Sequence, residues 1–155
     1  MYEEILDKLP YRSSFRFVDR ILVLDEKQVR GEYTLRKDAF FYEDHFVGNP
    51  VTPGVIVTEI MAQIGVVVMG IYCILHLPEY AGCRETGLFP LLTSTDVSFY
   101  RVVLPGTKLT VVSERQYFRF GKLKCSIEAL AEGELVARGT FAGMIRKTQK
   151  PPIES

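Results

Sequence analysis

From Gly54 to Leu77 the chain runs for 24 residues with one formal charge, Glu59. That length would span a bilayer, and it would equally form a long helix that is apolar on every side. Glu59 and Gln63 lie one turn apart near its start, Gly65 and Gly70 interrupt it, and strand-like segments with apolar faces to cover follow it. A helix that is greasy all round belongs inside something. The stretch is therefore read as the buried core helix of a non-membrane fold, with the rest of the chain enclosing it.

The rest of the sequence has the make-up for that task. At 155 residues and 47% hydrophobic, it can bury a real core as one domain. Residues 1–146 are read as that domain and 147–155, with Pro151 and Pro152, as a flexible tail. Lys+Arg and Asp+Glu both total 19, which disfavours a general nucleic-acid footprint. Cys73, Cys83 and Cys125 are odd in number and lack CxxC spacing, so they suggest reduced thiols, with neither a disulfide framework nor a zinc site. The amino-terminal MYEEILDKLP is acidic and has no apolar run, unlike a secretory leader, and a cytoplasmic protein is expected.

In chain order, Glu3 to Leu9 is predicted to form a short helix ended by Pro10. Phe15–Leu24 and Gln28–Leu35 are predicted as paired strands across a turn at Asp25–Lys27. Asp38 to Pro50 is irregular but dense in aromatics, and is expected to pack on the helix that follows. Thr52 is placed as the N-cap of that helix, with Pro53 at its first position. Gly65 and Gly70 each cost a helix about 1 kcal/mol relative to Ala, which suggests close packing against a sheet.

After a loop over Pro78–Gly87, strand-like segments are predicted at Leu88–Leu92, Val97–Leu104, Lys108–Phe120, Lys122–Ala131 and Glu134–Arg146. Gly121 and Gly133 mark hairpin turns. Leu123, Cys125, Ile127, Ala129 and Ala131 form the clearest period-two face. The sum is an α+β fold, a curved and mostly antiparallel sheet wrapped around one long central helix. One helix cannot cover such a sheet, and free strand edges invite pairing, so a dimer is expected.

Two residues stand out for chemistry. His45 sits in the irregular segment, and Glu59 follows 14 residues later. Histidine exchanges protons near neutral pH, while a carboxylic acid in an apolar wall can stay protonated and donate. Such a pair suits an elimination in which one group takes a carbon-bound proton and the other protonates a leaving hydroxide. Free N–H groups at the Gly54 end of the helix could hold a developing oxyanion. From spacing alone, His45 is equally a loop histidine satisfied by hydrogen bonds, and Glu59 a carboxylate favourable to the helix dipole. Gln63 is expected to hydrogen-bond Glu59, and His76 to be structural. No nucleophile elbow, phosphate loop, metal-ligand cluster or dinucleotide fingerprint occurs.

The run His45-Phe46-Val47-Gly48-Asn49-Pro50-Val51-Thr52-Pro53-Gly54, then Glu59 and Met61-Ala62-Gln63, resembles the active-site signature of the hot-dog-fold 3-hydroxyacyl-(acyl-carrier-protein) dehydratases. Leu9-Pro10-Tyr11-Arg12, Phe17-Val18-Asp19-Arg20 and Phe99–Gly106 resemble the family's other recurring stretches, so the likeness covers residues 9–145. It implies a hot-dog fold and reversible loss of water from a 3-hydroxyacyl thioester to a trans-2-enoyl thioester. His45 would be the base, Glu59 the acid, and the Gly54 N–H the group polarising the thioester carbonyl, with Gln63 beside them on the substrate side. The resemblance also implies an obligate homodimer whose sites each take the histidine from one subunit and the acid from the other. The substrate would be a phosphopantetheine thioester on acyl-carrier protein or CoA, with no cofactor and no metal.

Val47 stands where broad-specificity members have Pro and resembles the aliphatic residue of the dehydratase–isomerase branch, whereas Glu59 is the acid of the non-isomerising branch. Thr52 replaces the usual Met. The acyl chain length and pathway, primary fatty acid or specialised product, stay open, as do higher oligomers. Two other readings of the same fold are a thioesterase and a non-catalytic acyl-binding module. The run around His45 argues against the first, and retention of both His45 and Glu59 against the second. Because carrier proteins are acidic, a basic rim is expected at the site's mouth, with Arg101, Lys122 and Lys124 as its candidates.

Overall fold

The computed structural model describes residues 2–83 and 88–147, with side chains at 83, 88, 89 and 147 excepted. The first helix, α1, spans Glu3–Asp7 and buries Ile5. Strands β1 (Arg20–Leu24) and β2 (Gln28–Thr34) form a hairpin. Its turn is closed by the Asp25 carboxylate, which accepts the N–H groups of Lys27 and Gln28 at 2.8 and 3.0 Å. The long helix comprises α2 (Gly54–Ala62), a π-helical turn (Gln63–Val67) and α3 (Val68–His76). A 3-10 turn over Pro78–Cys83 leads towards β3 (Leu88–Phe99), β4 (Lys108–Arg119), β5 (Lys122–Ala131) and β6 (Glu134–Lys147). The predicted tail beyond Lys147 and the end of the Pro78–Gly87 loop lie outside the described residues.

The six strands form one antiparallel sheet in the order β1-β2-β4-β5-β6-β3. Strands β2 to β6 all touch the helix, which requires the sheet to curve around it. The inward residues of β5 (Leu123, Cys125, Ile127 and Ala129) are fully buried, together with Leu109 and Val111 of β4 and Phe141 of β6. Against them lie Ile60, Met61, Ile64, Val68 and Met69 of the helix, also fully buried. By length and composition Gly54–His76 could cross a membrane, but the sheet encloses it as a core helix.

Both hairpin tips have the paired positive φ angles of a two-residue turn: 51° and 75° at Phe120–Gly121, and 51° and 76° at Glu132–Gly133. Close approach explains Gly65. A Cβ there would collide with the Ile127 side chain and sit 3.2 Å from Ser113 Cβ, while the Ser113 hydroxyl donates to the Gly65 carbonyl at 3.0 Å. Gly65→Val should therefore destabilise the protein by about 2–3 kcal/mol through overpacking, despite the better helix propensity of Val. An unchanged denaturant midpoint would show that the contact is not tight.

Three local predictions need correction. Strand β1 starts only at Arg20; Ser13–Phe15 is a 3-10 turn, and Phe17 and Val18 are both buried although adjacent. The segments at Leu88–Leu92 and Val97–Leu104 are one strand to Phe99 with a register shift between Leu92 and Ser94, and residues 100–107 are a loop. Thr52 does not cap the helix. Its hydroxyl is 2.6 Å from the Tyr42 hydroxyl in a buried contact, and the helix begins at Gly54 without a side-chain cap.

Candidate active site

The loop before the helix is closed on itself. The His45 N–H donates to the Phe41 carbonyl at 3.1 Å, the Val51 N–H to the His45 carbonyl at 3.0 Å, and the Asn49 N–H to the Phe46 carbonyl at 2.9 Å. Phe41 and Tyr42 are buried in the helix core, as expected for an aromatic-rich connection. Thr52 fixes the far end through Tyr42, and its N–H donates to the Val103 carbonyl at 2.8 Å.

These constraints settle the His45 ring. Its Nδ1 lies 2.9 Å from the Val51 carbonyl. A carbonyl can only accept, so in the neutral ring Nδ1 carries the proton and Nε2 keeps a free lone pair. The ring stacks on Phe46, 4.6 Å between centroids, across a cis peptide bond.

One turn into the helix, Glu59 is half-buried, and its Oε1 accepts from Gln63 Nε2 at 3.0 Å. Gln63 itself is fully buried. Its Oε1 accepts the Phe17 N–H at 2.8 Å, and its Nε2 also donates to the Phe15 carbonyl at 2.9 Å. With a backbone donor on one side and a backbone acceptor on the other, the amide has only one permitted orientation. Its second N–H must therefore point at Glu59. The same two bonds explain why Phe15–Val18 is not a strand: a side chain 46 residues away holds its backbone.

At the helix start, the Ile56 and Val57 N–H groups both turn back to the Pro53 carbonyl. Among the described residues the preceding Gly54 and Val55 N–H groups have no acceptor, and Gly54 is exposed. With Thr52 engaged elsewhere, the positive end of the helix dipole stays open at Gly54. The Phe99 ring lies over it, 3.4 Å from where a Cβ would be, so any larger residue would push that ring.

Glu59 and Gln63 are thus joined, whereas no hydrogen bond or ion pair connects His45 to Glu59 within one chain. Sequence reasoning gave no role to Tyr11, yet burial, and after it the charge of Glu59, push its phenol up. Only the folded position of the amino-terminal segment reveals that neighbour. His76 is exposed at the far end of α3 against Tyr72, 4.5 Å between ring centroids. Within one chain the three candidates for a basic rim do not share one. Arg101 pairs with Glu134 at the start of β6, whereas Lys122 and Lys124 begin β5 at its opposite end, which a 10-residue strand places about 30 Å away. Among the described residues no group of three or more His, Cys, Asp or Glu side chains could hold a metal ion.

Known proteins resemble this chain in sequence and in fold. The family described as "FabA-like domain" matches residues 9–140. The 3-hydroxyacyl-[acyl-carrier-protein] dehydratase FabZ of Caldicellulosiruptor saccharolyticus is 38% identical over 151 residues, covering 94% of this chain and all of that protein. The FabZ of Thermus thermophilus is 34% identical over 143 residues, covering 92% and 95%. Among solved structures, the dehydratase heterocomplex ApeI:P from Xenorhabdus doucetiae superposes with a TM-score of 0.72 at 15% identity, covering 92% of this chain and 91% of that one. A Streptococcus pneumoniae protein described as a hypothetical thioesterase with coenzyme A gives 0.58 at 11% identity, covering 84% and 90%. At those identities the superpositions establish the hot-dog fold and nothing about chemistry.

Proposed function

The chain belongs to the FabA-like family, and from that premise we propose that it is a 3-hydroxyacyl-(acyl-carrier-protein) dehydratase of fatty-acid or related acyl-chain biosynthesis, with His45 as base and Glu59 as acid. The observation that supports the assignment is that the matching run holds both a histidine whose Nδ1 is engaged by the Val51 carbonyl, leaving Nε2 to accept a proton, and a carboxyl group oriented by a buried amide.

His45 Nε2 takes the α-proton of the 3-hydroxyacyl thioester, and charge develops on the thioester oxygen. The open Gly54 N–H at the positive helix end receives that oxyanion. The C3–O bond breaks as Glu59 delivers a proton, so hydroxide leaves as water and a trans-2-enoyl thioester remains. Exchange with solvent returns His45 and Glu59 to their starting states. The thioester acidifies its own α-carbon, so the reading needs no metal or cofactor.

The site is proposed to form between two copies of the chain. Strand β3 ends the sheet and, among the described residues, has one edge without a partner strand. On or beside it, Leu91, Leu92, Phe99, Tyr100, Val102 and Leu104 are exposed; next to His45, so are Phe46 and Val47, the last at 86%. Apolar exposure on this scale suits a second copy, whose His45 would serve the Glu59 of the first, to which that chain's own His45 is not hydrogen-bonded. The proposed location is the cytoplasm, with acyl-carrier protein or CoA presenting the substrate.

The test is incubation with a short 2-enoyl thioester, following enoyl absorbance and free thiol together. Loss of enoyl absorbance without thiol release is the expected result. Thiol release would make the protein a thioesterase, and neither change, across chain lengths and with carrier-protein thioesters, would make it a binding module.

A further inference from the structure

The structure has a cleft of about 340 Å³ lined by Tyr11, Ser13, Arg16, Val18, Asp19 and Arg36. Two arginines line it, one of them, Arg16, half-buried. Neither lies within ion-pair range of a carboxylate among the described residues. The one acid in the lining, Asp19, is engaged by the backbone, its carboxylate accepting the Thr34 N–H at 2.7 Å. Two positive charges with planar donor forks, next to a serine and a tyrosine hydroxyl, suit a phosphate better than a neutral ligand.

The cleft is also tied to the catalytic acid. Arg16 lies between Phe15 and Phe17, whose carbonyl and N–H are held by the Gln63 amide that orients Glu59. Tyr11 spans the two regions, lining the cleft while feeling the charge of Glu59. A phosphate seated here would therefore hold a thioester's carrier arm in register with the acid.

We propose that Arg16 and Arg36, with Ser13, bind the phosphate of the pantetheine arm that carries the acyl thioester. The inference rests on the dehydratase reading and adds to it a second anchoring point away from the reacting carbons. It also locates positive charge that the dispersed Arg101, Lys122 and Lys124 do not provide.

The experiment compares two substrates that differ only in the phosphate, crotonyl-pantetheine and crotonyl-4′-phosphopantetheine, in hydration by the full chain. The unmodified protein is expected to show a KM roughly tenfold or more lower for the phosphorylated substrate, the scale of one or two charge-assisted hydrogen bonds. In R16Q/R36Q the two KM values should converge while kcat on either substrate stays comparable. Crotonyl-CoA and crotonyl carrier protein bear the same phosphate, and KM for both should rise in that variant. A rise with CoA alone would assign the cleft to the adenosine phosphates and overturn the proposal. A preference that survives in R16Q/R36Q overturns it too, as does an equal loss on both pantetheine substrates, which would mean a structural role. If the unmodified protein hydrates no thioester at all, the dehydratase reading fails and the cleft assignment falls with it.

Discussion

His45→Ala is expected to lower hydration of a short 2-enoyl thioester by about 10²- to 10⁴-fold, the usual range for removing a positioned general base. Glu59→Gln should do the same by removing the acid. Neither change should unfold the protein. Among the described residues the His45 ring makes one hydrogen bond, to Val51, in a loop whose three backbone bonds remain without it. Glu59 accepts one hydrogen bond, and Gln at that position keeps an oxygen for it. Circular dichroism and elution volume should therefore match those of the unmodified protein. Turnover close to normal in either variant would sink the assignment.

The same pair tests where the two groups meet. If each site takes His45 from one copy and Glu59 from the other, refolding the two inactive variants together creates heterodimers with one intact site and one doubly defective site. Statistical mixing then restores roughly a quarter of normal activity. No recovery from a mixture shown to exchange subunits would mean that both groups act within one chain.

How much of this was legible in the residues depends on how far apart the interacting groups lie. The β5 face from Leu123 to Ala129 and the turns at Gly121 and Gly133 depend on neighbours a few positions away, and the pattern alone placed them. Phe15 and Phe17 mimic a strand's alternation, but their backbone is claimed by Gln63, 46 or more residues on, so local periodicity misleads. Thr52 carries the chemistry of a cap, yet Tyr42 takes its hydroxyl and leaves the helix end open for a ligand. The polar run Thr93–Asp96 looked like an interruption between two strands. It is the exposed middle of β3, where a register shift replaces the break. Of the candidate site, the His45–Gly54 run and Glu59 were readable because they are close in sequence. Tyr11 was not, since only the fold carries the amino-terminal segment to the helix.

Gln63→Leu should have the largest effect on stability, and it should also lower activity. Leucine fills similar space but offers no polar atoms. The buried Phe17 N–H and the part-buried Phe15 carbonyl would lose their partners at once. Leaving such groups unpaired costs about 1–3 kcal/mol each, less where water can reach. A loss of about 3 kcal/mol follows, lowering Tm by roughly 6–12 °C for a chain of this size, at fixed protein concentration if the protein is a dimer. Glu59 would lose the donor that aims it, so kcat should fall even at temperatures where the variant is folded. Gln63→Glu separates the two effects: it keeps an acceptor for the Phe17 N–H but sets a second carboxyl group against Glu59. If Gln63→Leu melted normally and kept its kcat, the amide would be neither the clamp on Phe15–Phe17 nor the aim of the acid. Glu59 would then act as the acid without help from Gln63.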